Sequence, residues 1–180
     1  MAHGSEKALG AVRAPSASVQ VRLLGRMTVL RDGAEVALPA SRKVRALLAH
    51  LACSPGEISR TRLCELLWDG PDDPRGELRW CLTKLRKILN APGRDRICAS
   101  RNTLALDLEG CDVDVLRIAG ADIDAVSPRE LQALSELCAG AFLEDLTIDR
   151  SPQFGACLEE QRRRFAVGCS AIRDRLDRGF

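Results

Sequence analysis

The chain has 180 residues, 46% hydrophobic and only 3% aromatic, with no tyrosine. That suffices for one good domain or two small ones with aliphatic cores, and it excludes an intrinsically disordered chain. The net charge of +2 hides an asymmetry: residues 1–110 carry 18 Lys/Arg against 12 Asp/Glu, and residues 111–180 carry 9 against 13, so a basic front and an acidic back point to two units with different partners.

Residues 1–18 are small, polar and turn-rich, and read as a flexible leader without the apolar h-region of a signal peptide. His3 behind two small residues is a weak copper motif. From Ser18 to Pro39, Val19, Val21 and Leu23 share one face, followed by Met27, Val29, Val36 and Leu38, with turns at Gly25 and Asp32-Gly33. This predicts three short antiparallel strands, with Asp-Gly as the hairpin signal. Ser41 then caps a helix to Cys53, striped by Val44, Leu47, Leu48 and Leu51 and stopped by Pro55-Gly56. A short strand follows at Glu57–Arg60. A second helix spans Ser59–Trp68, with Leu63, Leu66 and Leu67 inward and Trp68 closing it onto the core. Asp69–Gly76 is an acidic turn with two prolines.

The third helix, 74–90, raises the functional question. At 100° per residue, Leu78, Leu82, Leu85 and Leu89 fall within about 60° of one another, flanked by Cys81 and Ile88. Trp80, Thr83, Lys84 and Lys87 fall on the far side, with Arg79 nearby. A helix that turns an indole and several cations outward together expects something to cover them. After it, residues 96–108 alternate around Ser100–Thr103 and read as a hairpin, with Asn102 suited to a left-handed conformation. The rest reads as three helices: Cys111–Ala121, then 127–144 opened by a Ser127-Pro128 capping box with Glu130, then 151–176.

Strands, helix, helix, helix with a basic outer face, and hairpin is the order of a winged helix-turn-helix, giving an α+β fold followed by an all-α unit. The domain boundaries are 19–108 and 110–180. A helix of that kind fits the major groove of DNA, and a hairpin reaches the neighbouring minor groove. Trp80, Thr83, Lys84 and Lys87 are the candidate base contacts. Arg42, Lys43, Arg75, Arg79 and Arg86 are the candidate phosphate contacts, and Arg101 and Asn102 at the wing tip the candidate minor-groove contacts. The rival reading is a protein-interaction module that no longer binds DNA and uses Trp80 as its anchor.

Other chemistry has little support. The eight cysteines form no CxxC pair, and the histidines are His3 and His50 alone, so no metal or cofactor is expected. The cysteines read as reduced, buried thiols. No nucleophile–base pair or phosphate loop points to an enzyme. No apolar run of membrane-spanning length occurs, and a cytoplasmic location is expected.

The stretch from "LGRMTVLRDGAEVALP" through "RALLAHL" and "SRTRLCELLW" to "LRWCLTKLRKILN" resembles the DNA-binding domain of SARP-type (antibiotic regulatory protein) activators, a winged helix of the OmpR type. The motifs "DVDVLRI", "CAGAFLEDL" and "CLEEQRRRF" resemble the start of the bacterial transcriptional activator domain that follows it there. The resemblance implies double-stranded DNA as partner, with direct-repeat sites and self-association on DNA. It also implies contact between RNA polymerase and the loop holding Asp69, Asp72 and Asp73. It places Trp80 where relatives carry a small aliphatic that touches thymine methyls, Lys84 where they carry a base-reading Arg, and Arg86 on a phosphate-binding Arg. Trp80 is far bulkier than the usual residue, and Arg79 stands where relatives often carry an acid or amide. The receiver domain of OmpR-type proteins has no counterpart here, and residues 110–180 are shorter than the usual activator domain.

Overall fold

The computed structural model describes residues 18–70, 73–149 and 151–179, so His3 and Asp72 lie outside the described residues. Strands β1 (Val19–Arg22), β2 (Thr28–Arg31) and β3 (Ala34–Glu35) form the expected antiparallel meander. Asp32 and Gly33 turn the β2–β3 hairpin with φ of 51° and 82°, the pair of positive values that a two-residue hairpin needs. Helices α1 (Arg42–Cys53), α2 (Arg60–Leu67) and α3 (Pro74–Leu89) follow, and Ser41 caps α1 by accepting from Val44 N at 3.4 Å. Strand β4 (Ile58–Ser59) lies between α1 and α2. It pairs antiparallel with β6 (Thr103–Leu106), which pairs with β5 (Ile97–Ala99), so the wing is a three-stranded sheet in the order β4-β6-β5.

Three expectations are corrected beyond the wing. Cys111–Val113 is not helical: it forms β7, which joins the first sheet parallel to β1 and gives the order β3-β2-β1-β7. Three residues are too few for periodicity to separate strand from helix. The helix after it, α4 (Asp114–Gly120), is correspondingly short. Helix α5 (Pro128–Leu137) carries the expected cap, Glu130 N donating to Ser127 Oγ at 3.3 Å, but ends seven residues early. Residues 140–144 leave the helix to run beside Leu23–Gly25. Gly25 N donates to Ala141 O at 2.9 Å, Leu143 N to Leu23 O at 2.8 Å and Glu144 N to Gly25 O at 3.2 Å. A Cβ on Gly140 would sit 2.8 Å from Gly25 Cα, so this approach requires glycine. Finally, Cys138 and Cys169 are not free thiols. They form a disulfide across the packing of α5 on the long α6 (Pro152–Asp177), 31 residues apart in sequence, a separation that no local motif announces.

A fully buried carboxylate organises the seam between the sheet and α4. Asp114 Oδ2 accepts from Leu23 N at 2.7 Å and Leu24 N at 2.9 Å, and Oδ1 from Val115 N at 2.7 Å. Burial raises its pKa while those three donors pull it down, with burial the larger effect. Arg162 on α6 closes the other side by donating to Phe142 O, Leu143 O and Leu146 O at 2.8–3.2 Å. One apolar core runs through both halves, from Val21, Leu47 and Leu85 to Val115 and Phe165. The other cysteines are free thiols, but only Cys64 and Cys81 are buried and Cys98 is exposed, against the expectation of buried thiols throughout; burial pushes the thiols of Cys53 and Cys81 up to about 12, so they remain neutral. No helix among the described residues is long and apolar enough to cross a membrane.

Candidate nucleic-acid interface

Helix α3 is held from inside and at both ends. Leu78, Cys81, Leu82, Leu85, Ile88 and Leu89 are buried, packed towards α1, α2 and β5. At the N-terminus Asp73 accepts from Gly76 N at 2.8 Å, with Pro74 in the first turn, a cap that satisfies donors which the helix itself cannot. At the C-terminus the Arg31 guanidinium from β2 donates to Ile88 O and Asn90 O, placing positive charge where the helix dipole favours it. The helix cannot roll without losing its leucines, so its opposite face is fixed outward.

That outward face carries the residues singled out from the sequence. Trp80 is 48% exposed, and Val167 on α6 is the other exposed large hydrophobic among the described residues. Arg75, Arg79, Thr83, Arg86 and Lys87 are exposed and Lys84 half-buried. Lys84 Nζ lies 5.1 Å from the centroid of the Trp80 ring, one turn away along the helix. Thr83 donates its hydroxyl to Arg79 O at 3.1 Å, so its proton is turned back onto the helix. Arg79 reaches Asp73 Oδ2 at 3.4 Å, and Arg75 reaches Thr61 Oγ1 at 3.5 Å. Arg86 and Lys87 have no hydrogen-bond or ion-pair partner among the described residues.

The wing is fastened to α3 rather than hung from it. The cap residue Asn90 accepts from Arg96 N at 3.0 Å through Oδ1, and its Nδ2 donates to Asp95 at 2.6 Å. Buried Arg96 donates to Asp107 O at 3.2 Å and Glu109 O at 3.0 Å, and Arg94 pairs with Asp107 at 2.7 Å and Glu109 at 3.0 Å. These arginines tie the base of the wing. Sequence reasoning missed that role, since nothing local separates them from surface cations. At the tip, Ser100 Oγ accepts from Asn102 N and Thr103 N at 3.2 and 2.9 Å. Asn102 is not left-handed as expected: Asp32 and Leu143 are the non-glycine residues with positive φ among the described residues. The serine acceptor closes the turn without a left-handed residue. Arg101 and Asn102 are exposed there. Arg60, at the start of α2, holds the tip by donating to Ser100 O at 3.0 Å.

The remaining candidates stand apart from this face. Lys43 is engaged internally: its ammonium donates to Leu67 O and Ser151 Oγ, and lies 6.0 Å from the Trp68 ring centroid. Burial lowers its pKa. The sequence offers it as a phosphate contact, yet its ammonium is engaged between α2 and the segment before α6. Arg42 is exposed and pairs with Asp149 at 3.3 Å. Asp69 is exposed in the α2–α3 loop. No cluster of three or more His, Cys, Asp or Glu side chains able to hold a metal occurs among the described residues.

Among solved structures, the chain is similar to Mycobacterium tuberculosis EmbR in complex with a low affinity phosphopeptide, with a TM-score of 0.72 and 22% identity. The match covers 88% of this chain and 44% of EmbR, so the chain spans less than half the length of that protein. The likeness is one of fold: an α+β unit continued by a helical one. No protein-family model and no curated protein matches the sequence.

Proposed function

We propose that the chain is a sequence-specific regulator of transcription, of the SARP-type activator kind, that binds double-stranded DNA. Helix α3 enters the major groove and the wing around Arg101 and Asn102 meets the minor groove. The observation that carries this reading is the outward face of α3. It keeps an indole and unpaired cations in solvent, on a helix pinned by buried leucines and fastened to a wing. A groove about 12 Å wide accepts such a helix, and base edges and thymine methyls meet its side chains there. Lys84, Thr83 and Lys87 face the bases in this reading, and Arg75, Arg79 and Arg86 the phosphates. Asp69 and Asp73 lie on the segment proposed to meet RNA polymerase, and Asp72, outside the described residues, stands between them in sequence. Direct-repeat sites and assembly on DNA follow from the SARP-type resemblance.

Selection from a randomised duplex library, followed by affinity measurement across salt concentrations, tests the reading. The expected result is an enriched motif and an affinity that falls steeply with salt as phosphate contacts release counterions. Absence of any enriched duplex, together with salt-insensitive binding, overturns it and leaves Trp80 as an anchor for a protein partner.

A further inference from the structure

We infer that Trp80 is a positioning residue for Lys84: the indole holds the lysine ammonium over its face and presents it, pre-ordered, to the guanine edge of a base pair. The inference rests on the reading of α3 as the groove helix. Lys84 Nζ lies 5.1 Å from the Trp80 ring centroid, inside the range where a cation is attracted to the negative face of an aromatic ring. The two residues are four apart, the spacing that brings side chains together on one helix face. Lys84 is half-buried, whereas Thr83, Arg86 and Lys87 around it are exposed. No carboxylate or carbonyl holds its ammonium among the described residues; the ring is its partner.

The consequence is entropic and chemical. A lysine has a long, freely rotating stem, and fixing it on binding opposes association. A stem already laid over an indole has lost part of that freedom beforehand. The ammonium has three N–H donors and no acceptor; with one side against the ring, the others remain for a partner. Guanine offers adjacent acceptors, O6 and N7, in the major groove, whereas adenine sets an amino donor beside its N7. A pre-ordered ammonium therefore selects guanine. Of its neighbours, Thr83 gives its proton to Arg79 O at 3.1 Å and Arg79 is drawn to Asp73 at 3.4 Å, so the Thr83 hydroxyl offers no free donor beside Lys84. This differs from an indole that itself covers a thymine methyl: there Trp80 acts on DNA directly, and its effect is independent of Lys84.

The full chain distinguishes the two. Without DNA, the Lys84 Cε protons are expected upfield through the ring current, back at ordinary positions in Trp80→Leu and still upfield in Trp80→Phe; unshifted protons in the unmutated chain overturn the inference. With a duplex selected by the unmutated chain, Lys84→Ala is expected to lower discrimination against non-selected duplex about tenfold. Trp80→Leu should lower it about fivefold, Trp80→Phe should retain most of it, and the double variant W80L/K84A should be no worse than Lys84→Ala. Replacing the contacted guanine by 7-deazaguanine should weaken binding of the unmutated chain but not of Lys84→Ala. Losses that add in the double variant, or a deaza effect that persists in Lys84→Ala, overturn the inference and leave the DNA-binding reading intact. Failure of the unmutated chain to select any duplex overturns both.

Discussion

The outer face of α3 and the seam around Leu23–Gly25 are both rich in charge, and they use it in opposite ways. At the seam, ionic groups are consumed by the fold: Asp114 accepts three backbone amides, Arg162 donates to three carbonyls, and Asp145 accepts from Met27 N at 3.3 Å and from Arg45 at 3.3 Å. On α3, Arg86 and Lys87 meet no partner among the described residues, and Lys84 meets only a ring. A charge spent on folding is withdrawn from binding, so it is the partners of a cation, rather than its presence, that mark an interface. Lys43 illustrates the point from the other side, since a carbonyl and a hydroxyl already accept from its ammonium.

Severing the link at the rim of the seam tests this contrast most strongly. The Cys138–Cys169 disulfide closes a segment of 31 residues, and in the chain-entropy account a loop of that size stabilises by about 4 kcal/mol. Cys169→Ser is therefore expected to lower unfolding free energy by about that amount in urea titrations of oxidised protein, with DNA affinity under native conditions unchanged. A variant as stable as the unmutated chain would show that the seam does not depend on the cross-link. A loss of DNA affinity in fully folded variant would show that seam and recognition face are not separate.

Removing the carboxylate is the next largest change. Asp114→Ala leaves the amides of Leu23, Leu24 and Val115 buried without their acceptor, an expected cost of about 3 kcal/mol. Equilibrium denaturation checks it. A loss below about 1 kcal/mol would mean that water replaces the carboxylate and that the seam is wetter than its burial implies.

The contrast also explains which parts of the molecule were legible in the sequence. Helix α3 was readable in orientation as well as extent, because leucines at helical spacing fix which side faces in and so which side faces out. The Asp32-Gly33 hairpin and the Ser127 cap were readable because each is a local signal with a local cause. The seam was not. β7 is three residues long and is a strand only because β1 lies beside it. Residues 140–144 leave the helical pattern because their amides and carbonyls find Leu23 and Gly25, more than a hundred residues earlier. Asp114 reads as an ordinary helix-start acid, and Arg96 as a wing cation, until their burial is seen. Long-range pairing decides each of these, and no window of sequence contains both partners.

The smallest effect is the most diagnostic of the face itself. The Arg86 side chain is exposed on α3 with no hydrogen-bond or ion-pair partner among the described residues, so Arg86→Ala removes no polar link from the fold and should leave the melting temperature unchanged. If the side chain neutralises one phosphate, its loss weakens binding to selected and non-selected duplexes by a similar factor, of about 1 kcal/mol, and lowers the slope of log K against log salt by about 0.9. A stability loss in Arg86→Ala would place this arginine with the spent charges of the seam. An unchanged salt slope with unchanged affinity would move the phosphate contact elsewhere on the helix. A loss confined to selected duplex would make Arg86 a reader of bases, and the division of labour along α3 would have to be redrawn around it.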